Sequence, residues 1–170
     1  MGSLTCNAET VGNSSQTGAW NCTEPENGRV SIFSLHDLPN LLARVLGVMK
    51  HAGYGLADSF AVRLALEEAV VNAVTHGHGH DPRKQVRIWW AVTPGSVRLV
   101  VEDEGPGFDP AAVADPSLPE NLGRPGGRGL FLIFTFMTWV RFNRRGNCLV
   151  MYRHRSHSEH LSPNLRSKFA

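Results

Sequence analysis

Residues 67–77 read Glu-Glu-Ala-Val-Val-Asn-Ala-Val-Thr-His-Gly. Glu68, Asn72 and His76 recur every four residues, so on an α-helix they form one polar stripe among apolar neighbours. Such groups are costly in an apolar setting unless they have partners. Oxygens of Glu and Asn suit Mg²⁺ held together with substrate phosphates, and Glu68 could instead accept a proton from a nucleophile. A structural polar seam is the alternative, and this stretch alone leaves it open.

Glu67 and Glu68 are adjacent, so on a helix their side chains point about 100° apart. Only Glu68 is in register with Asn72 and His76. We therefore expect Glu67 to lie on a different face and to pair with Arg63, four residues earlier.

The composition is that of one soluble domain with a tail or two. The 170 residues are 42% hydrophobic and 19% charged. No apolar run reaches the roughly 18 residues of a membrane span, and the first residues do not resemble a secretory signal. Cys6, Cys22 and Cys148 are far apart, which argues against a zinc site or a disulfide framework and fits a reducing cytoplasm.

Charge is divided unevenly along the chain. Residues 141–170 carry seven Lys/Arg and one acid, whereas residues 1–140 carry ten and fourteen. The net acidic larger part argues against a nucleic-acid binder. Residues 1–28 are polar and lack Lys and Arg, which predicts a disordered extension. We expect the domain proper at 29–154 and a solvated basic tail at 155–170.

Apolar periodicity predicts five strands and three helices. Asp37 is the expected N-cap of the first helix, and Asp58 or Ser59 that of the second, which should end at Gly77. Trp89 and Trp90 should lie on opposite faces of their strand. The predicted strands are 29–34, 85–92, 96–102, 139–143 and 148–154, and the predicted helices are 35–51, 58–76 and 130–137.

Two glycine clusters are candidate ligand sites. Asp103 ends a predicted strand, and Gly105 and Gly107 after it would let the backbone approach a ligand; a carboxylate there could accept a hydrogen bond from adenine, although a plain turn fits equally well. The second cluster, 126–129, opens a predicted helix whose free N–H groups suit phosphate. Arg128 and Arg124 could add charge, and a flexible hinge is the alternative.

The segment 110–125 is long, proline-rich and without a period, which indicates a mobile lid between the two clusters. His76, His78 and His80 on the earlier loop have weak metal-ligand spacing, and exposed loop histidines are the commoner case.

Three motifs therefore occur in order: 67–77, Asp103-Glu104-Gly105-Pro106-Gly107-Phe108-Asp109, and Gly126-Gly127-Arg128-Gly129-Leu130. In this combination, over about residues 30–154, the chain resembles the GHKL or Bergerat-fold ATPases. Among them it is similar to the RsbW-like anti-sigma-factor serine/threonine kinases. The resemblance implies an α/β two-layer sandwich, with a mixed, mainly antiparallel sheet and helices on one face.

The resemblance also implies roles. Glu68 would be the general base, Asn72 would hold Mg²⁺, and Asp103 would bind the adenine amino group of ATP. The implied substrate is a STAS-type anti-sigma-factor antagonist, the other partner is a sigma factor, and the chain would be a homodimer. A non-catalytic ATP-binding module that sequesters a sigma factor is the alternative. The other implied nucleotide-binding residues are Gly105, Gly107, Arg124, Gly126, Gly127, Arg128, Gly129 and Leu130.

The chain departs from that family pattern in two places. Thr138 stands near a position where the family often has an acid. Asn147-Cys148 stands where the family tends to have Gly-Thr, whose Thr usually helps to hold the adenine-binding Asp.

Overall fold

A five-stranded sheet with helices on one face forms the domain in the computed structural model, which describes residues 27–110 and 127–156. The predicted two-layer α/β architecture is confirmed. The strands are β1 (Gly28–Ile32), β2 (Val86–Val92), β3 (Ser96–Asp103), β4 (Trp139–Phe142) and β5 (Cys148–His154), and the helices are α1 (Leu38–His51), α2 (Leu56–Asn72) and α3 (Gly127–Phe136).

The strands are ordered β1-β2-β3-β5-β4. All four pairings in the described part of the chain are antiparallel, so this sheet is antiparallel throughout rather than mixed. Hairpins join β2 to β3 and β4 to β5, as predicted, and the central pairing of β3 with β5 brings the ends of the two hairpins together. Asp103 therefore lies beside the β4–β5 turn.

Alternation along the strands separates a buried face from an open one. Ile88, Trp90 and Leu99 are buried on the face that packs against the helices, whereas Trp89 points to the other face and is half-buried. The predicted opposite placement of the two tryptophans is confirmed. Helix α2 lies in the middle of the helical layer and contacts both α1 and α3, which explains why it is apolar around much of its circumference.

The N-termini of α1 and α2 agree with the sequence predictions to different extents. Asp37 is the N-cap residue of α1 by position, as predicted, with proline in the first turn, but its side chain makes no capping hydrogen bond. The prediction for α2 is wrong, because this helix begins at Leu56 after Gly55, and no side chain caps it. Asp58 is not free to cap, since its carboxylate is turned inward and paired with Arg153.

The end of α2 also differs from the prediction. Regular α-helix stops at Asn72, and residues Ala73–Gly77 form a π-helical turn, in which the His78 N–H bonds the Ala73 carbonyl at 3.0 Å. A π-turn widens the helix and commonly accompanies functional sites. Here it places the backbone of Gly77 against the end of β3.

The prediction of a solvated tail is wrong for its first two residues, Arg155 and Ser156. Arg155 donates to the carbonyls of Ala52, Gly53 and Pro94, and its guanidinium lies 5.1 Å from the Tyr54 ring centroid. Ser156 donates its N–H to Asp58 at 3.0 Å. The chain is therefore bound to the helical layer to the limit of the described residues.

Three predictions fall on residues that the structure does not describe. The proposed extension lies almost wholly in residues 1–26, most of the tail in 157–170, and all but the first residue of the proposed lid in 111–126. Among the described helices, none combines the length and apolar character needed to cross a bilayer.

Candidate functional site

The end of β3 and the π-turn are packed together through two glycines. A Cβ on Gly105 would overlap the carbonyl of Gly77, and a Cβ on Gly77 would overlap the carboxyl group of Asp103. Larger residues at either position would push the π-turn away from β3. Gly105 thus serves packing within the protein, and its role in letting a ligand approach stays a prediction.

Asp103 is buried, with 8% of its surface exposed. Its Oδ1 accepts a hydrogen bond from the Gly105 N–H at 2.7 Å. Among the described residues, this is the only hydrogen bond that the Asp103 carboxyl group accepts. Burial raises the pKa of the Asp103 carboxyl above its ordinary value, while the Gly105 N–H and the charges of His78 and Arg145 oppose that shift. A buried carboxyl group with spare acceptor capacity is suited to bind a ligand donor.

The β4–β5 turn closes over the turn that follows Asp103. Gly107 and Gly146 both have positive φ, of 78° and 74°, a conformation that favours glycine. A Cβ on Gly107 would overlap the Arg145 carbonyl, and one on Gly146 would overlap that of Phe108. The Phe108 N–H completes the contact by donating to the Arg145 carbonyl at 3.0 Å.

Asn147 joins the same two segments at their base. Its Nδ2 donates to the Asp103 carbonyl at 2.8 Å, and the Asp103 N–H donates to the Asn147 carbonyl at 2.9 Å. Asn147 therefore holds the backbone of Asp103, whereas its neighbour Cys148 is a buried thiol. The departure from Gly-Thr noted in the sequence leaves the backbone of this strand end well supported.

The beginning of α3 packs against the polar stripe of α2. A Cβ on Gly129 would lie 2.6 Å from Glu68 Oε2 and 3.3 Å from Asn72 Nδ2. A larger residue at this position would therefore have to displace the carboxylate end of the Glu68 side chain. The first and third sequence motifs, which are about 60 residues apart, thus meet at the N-terminus of a helix, where free N–H groups and the helix dipole favour anions.

Glu67 lies outside this contact. Its Oε2 is 4.0 Å from Arg63 Nε, and both side chains are largely exposed. The predicted ion pair is confirmed, and Glu68 is the acid of the adjacent pair that faces Gly129.

A cavity of about 290 Å³ connects these features. It is lined by α2, the π-turn, the end of β3, the first turn of α3 and the β4–β5 hairpin, and its wall is mostly apolar. Such a shape, with few polar groups at defined places, is typical of a small-molecule site. The lining residues are Ala69, Asn72, Ala73, His76, Gly77, Val101, Asp103, Gly107, Phe108, Leu130, Phe142, Gly146, Asn147, Cys148 and Leu149.

The predicted site residues are distributed around this cavity. Asn72, Asp103, Gly107 and Leu130 line it, whereas Glu68 and Gly129 meet beside it and Gly105 supports it from behind. Gly127 is the first residue of α3, and Arg128 is exposed on it. Arg124 and Gly126 fall in the part of the chain that the structure does not describe.

Sequence reasoning missed the aromatic wall of the cavity. Phe108 and Phe142 stack edge to face, with ring centroids 5.0 Å apart. Phe108 directly follows the Asp-x-Gly-x-Gly stretch, so the motif itself was a signal for it. Phe142 ends a short strand, and no local pattern distinguishes it from an ordinary core residue.

One histidine is also placed differently from the expectation of exposed loop histidines. His76 and His80 are exposed, but His78 is only 4% exposed, and neither of its ring nitrogens has a hydrogen bond among the described residues. Within residues 27–110 and 127–156, no group of three or more His, Cys, Asp or Glu side chains is arranged to hold a metal.

The five-stranded antiparallel sheet with helices on one face is the architecture of an ATPase-type domain. The chain belongs to the histidine kinase-like ATPase domain family, which it matches over residues 33–153.

Individual relatives are serine-protein kinases. The chain is similar to serine-protein kinase RsbW of Oceanobacillus iheyensis, with 26% identity over 111 residues, covering 62% of this chain and 70% of that protein. For RsbW of Bacillus subtilis the identity is 30% over 110 residues, covering 61% and 69% of the two chains. For RsbW of Staphylococcus aureus (strain JH9) it is 32% over 101 residues, covering 55% and 64%.

Proposed function

We propose that the protein is an ATP-dependent serine/threonine kinase that acts on another protein in the cytoplasm. The observation that carries the proposal is the convergence of Glu68 and Asn72 on Gly129 at the start of α3. This arrangement unites a carboxylate, a potential metal ligand and a set of helix N–H groups, which are the parts that phosphoryl transfer requires. Membership of the histidine kinase-like ATPase family and the similarity to named serine-protein kinases support it.

The residues around the cavity fit ATP at both ends. Asp103, buried and with acceptor capacity to spare, suits the exocyclic amine of adenine, and the Phe108–Phe142 pair offers an apolar wall for the base. At the other end, the N–H groups at Gly127, Arg128 and Gly129 suit the phosphates. Gly126, Arg124 and Leu130 belong to the same proposed set.

Asn72 is the proposed Mg²⁺ ligand. Its side-chain oxygen is of the kind that Mg²⁺ accepts, and a single protein ligand with phosphate oxygens and water is a usual arrangement for this ion. When bound, the ion would neutralise charge on the transferred phosphoryl group.

Glu68 is the proposed general base. It would accept the proton of a serine or threonine hydroxyl on the substrate protein, which increases the nucleophilicity of that oxygen. Its position one turn before Asn72 and next to Gly129, where the phosphates are proposed to bind, supports this role. It differs from Glu67 in its alignment with Asn72 and its contact with Gly129, whereas Glu67 pairs with Arg63.

By its resemblance to the RsbW-like proteins, we propose an anti-sigma-factor antagonist of the STAS type as substrate, a sigma factor as second partner, and a homodimer as the active form. The alternative of an ATP-binding module without transfer activity rests on Asn147-Cys148, which stands where the family tends to have Gly-Thr.

Exchange of Glu68 for Gln tests this function. A base that acts in transfer contributes on the order of 100- to 10,000-fold in rate and little to ground-state binding. Glu68→Gln should therefore bind Mg-ATP like the wild type in calorimetry, yet phosphorylate partner proteins recovered from the native cell far more slowly with labelled ATP.

Glu67→Gln is the matched control, because it removes the same charge from the adjacent residue and should be mild in both assays. Wild-type phosphorylation by Glu68→Gln would contradict the assignment of the base. Nucleotide binding without phosphorylation by the wild-type protein would favour the non-catalytic alternative.

A further inference from the structure

Arg145, in the β4–β5 turn, contacts the turn after Asp103 with its side chain. Its Nη2 donates a hydrogen bond to the Gly105 carbonyl at 2.9 Å. Its Nε donates a longer hydrogen bond to the Pro106 carbonyl, at 3.4 Å. The planar fork of guanidinium can bond two neighbouring carbonyls at once, which an ammonium group cannot do as well.

The backbone of Arg145 holds the same turn from the other side. Its carbonyl accepts the Phe108 N–H at 3.0 Å and lies so close to Gly107 that any Cβ there would overlap it. Arg145 thus binds both ends of the segment Gly105–Phe108. This segment begins with the N–H that orients Asp103 and ends with the ring that forms the cavity wall.

The charged and titratable groups that act on Asp103 come from three segments. His78 follows the π-turn, Glu102 precedes Asp103 in β3, and Arg145 belongs to the β4–β5 turn. His78 and Arg145 lower the pKa of the Asp103 carboxyl, whereas Glu102 and above all burial raise it. Arg145 is the arginine among these groups, and it remains charged at any ordinary pH.

We propose that Arg145 is a positioning residue that sets base selectivity. By binding the Gly105–Phe108 turn, it fixes the Asp103 carboxylate so that it accepts a hydrogen bond from a purine that carries an exocyclic amine. This inference rests on the proposed ATP site, because it assigns a specificity determinant to that site.

Selectivity is the quantity that separates positioning from general support of the fold. Inosine triphosphate has a carbonyl where ATP has the amine, so it cannot make the same bond with Asp103. A hydrogen bond to a charged acceptor corresponds to roughly 10- to 100-fold in affinity, and this sets the expected preference of the wild-type protein for ATP.

The experiment measures the dissociation constants of Mg-ATP and Mg-inosine triphosphate by calorimetry. Arg145→Gln should weaken ATP at least about fivefold and leave inosine triphosphate nearly unchanged, which lowers the ratio of the two affinities. Arg145→Lys should give an intermediate ratio, because it keeps the charge but not the fork. Arg63→Gln, the control, removes the same charge from the exposed surface of α2 and should keep the wild-type ratio.

A second readout needs no nucleotide. The carboxyl-carbon chemical shift of Asp103 reports its ionisation, and Arg145→Gln should raise its titration midpoint, whereas Arg63→Gln should not. A native-like spectrum of each variant also shows that it folds.

Two results would overturn the inference: equal weakening of both triphosphates by Arg145→Gln, which indicates general support of the fold, or no change in either. Failure of the wild-type protein to bind either triphosphate would instead refute the proposed function, and the inference with it, so the two failures are distinct.

Discussion

Asp58 and Asp103 are both buried aspartates, but they lie in different regions and have opposite properties. Asp58, in the first turn of α2 and 3% exposed, accepts bonds from Arg153 Nε at 2.8 Å, from the Ser156 N–H at 3.0 Å and from the Ser156 hydroxyl at 2.5 Å. Asp103 lines the cavity, and within the described residues its carboxyl group accepts one hydrogen bond, from the Gly105 N–H.

The pKa values of the two carboxyl groups follow these surroundings. For Asp58, burial acts to raise the pKa, but the bonds from Ser156 and Arg153 outweigh it and the net shift is downward. For Asp103, burial dominates and the pKa rises. A carboxylate whose acceptor positions are filled by its own protein stabilises the fold, whereas one that is buried with positions to spare is prepared for a ligand.

Removal of the charge at Asp58 should have the largest effect. Asp58→Asn leaves the guanidinium of Arg153, itself only 19% exposed, without its carboxylate, and loss of one partner of a buried pair costs about 3 kcal/mol or more. Urea unfolding should show this loss in the free energy of unfolding.

Calorimetry should show that the folded fraction of Asp58→Asn still binds Mg-ATP normally. Asp81→Asn is the control, because its carboxylate pairs with Arg83 on the exposed surface and should matter little to stability. An unfolding curve for Asp58→Asn equal to that of the wild type would contradict the structural role of this carboxylate.

The same change at Asp103 should have the converse effect. Asp103→Asn keeps an oxygen for the Gly105 N–H but loses the charged acceptor, so affinity for ATP should fall roughly 10- to 100-fold. Stability at neutral pH should not fall, since ionisation of this buried carboxyl opposes folding. Loss of stability with unchanged ATP affinity would show that the two aspartates do not differ as described.

The smallest effect is the dependence of stability on pH. Asp58 has a lowered pKa in the folded state, so its contribution is present above the unfolded value of 3.8 and is lost as pH falls through the folded pKa. Asp103 has a raised pKa, so its ionisation reduces stability as pH rises from 3.8 through its folded pKa.

Urea midpoints of the wild type and both variants between about pH 2.5 and about pH 7 measure these slopes. The loss of stability caused by Asp58→Asn should become smaller as the pH is lowered. The stability of Asp103→Asn relative to the wild type should increase toward neutral pH. Parallel curves for all three proteins would contradict both pKa directions.

Features that depend on local periodicity could be predicted from the amino-acid sequence. The strand alternation that separates Trp89 from Trp90 was predictable, because side chains in a strand alternate between its faces. The Glu67–Arg63 pair was predictable too, because side chains four residues apart in a helix lie on one face. The resemblance to the GHKL ATPases, carried by the order of the three motifs, also implied the two-layer α/β fold, which the family match supports.

The tertiary structure decided the features that depend on which distant segments meet. Asp58 looked like a helix cap, but its partner Arg153 is 95 residues away, on a strand that only the sheet order brings near. The π-turn at Ala73–Gly77 arises where Gly77 must fit against Gly105, and no property of the helix sequence shows that neighbour. Arg145 holds the turn after Asp103 for the same reason: β3 and β5 pair in register, so the ends of two hairpins meet. Backbone periodicity is local and can be read from sequence, whereas the pairing of buried charges and the close approach of backbones depend on the packed fold.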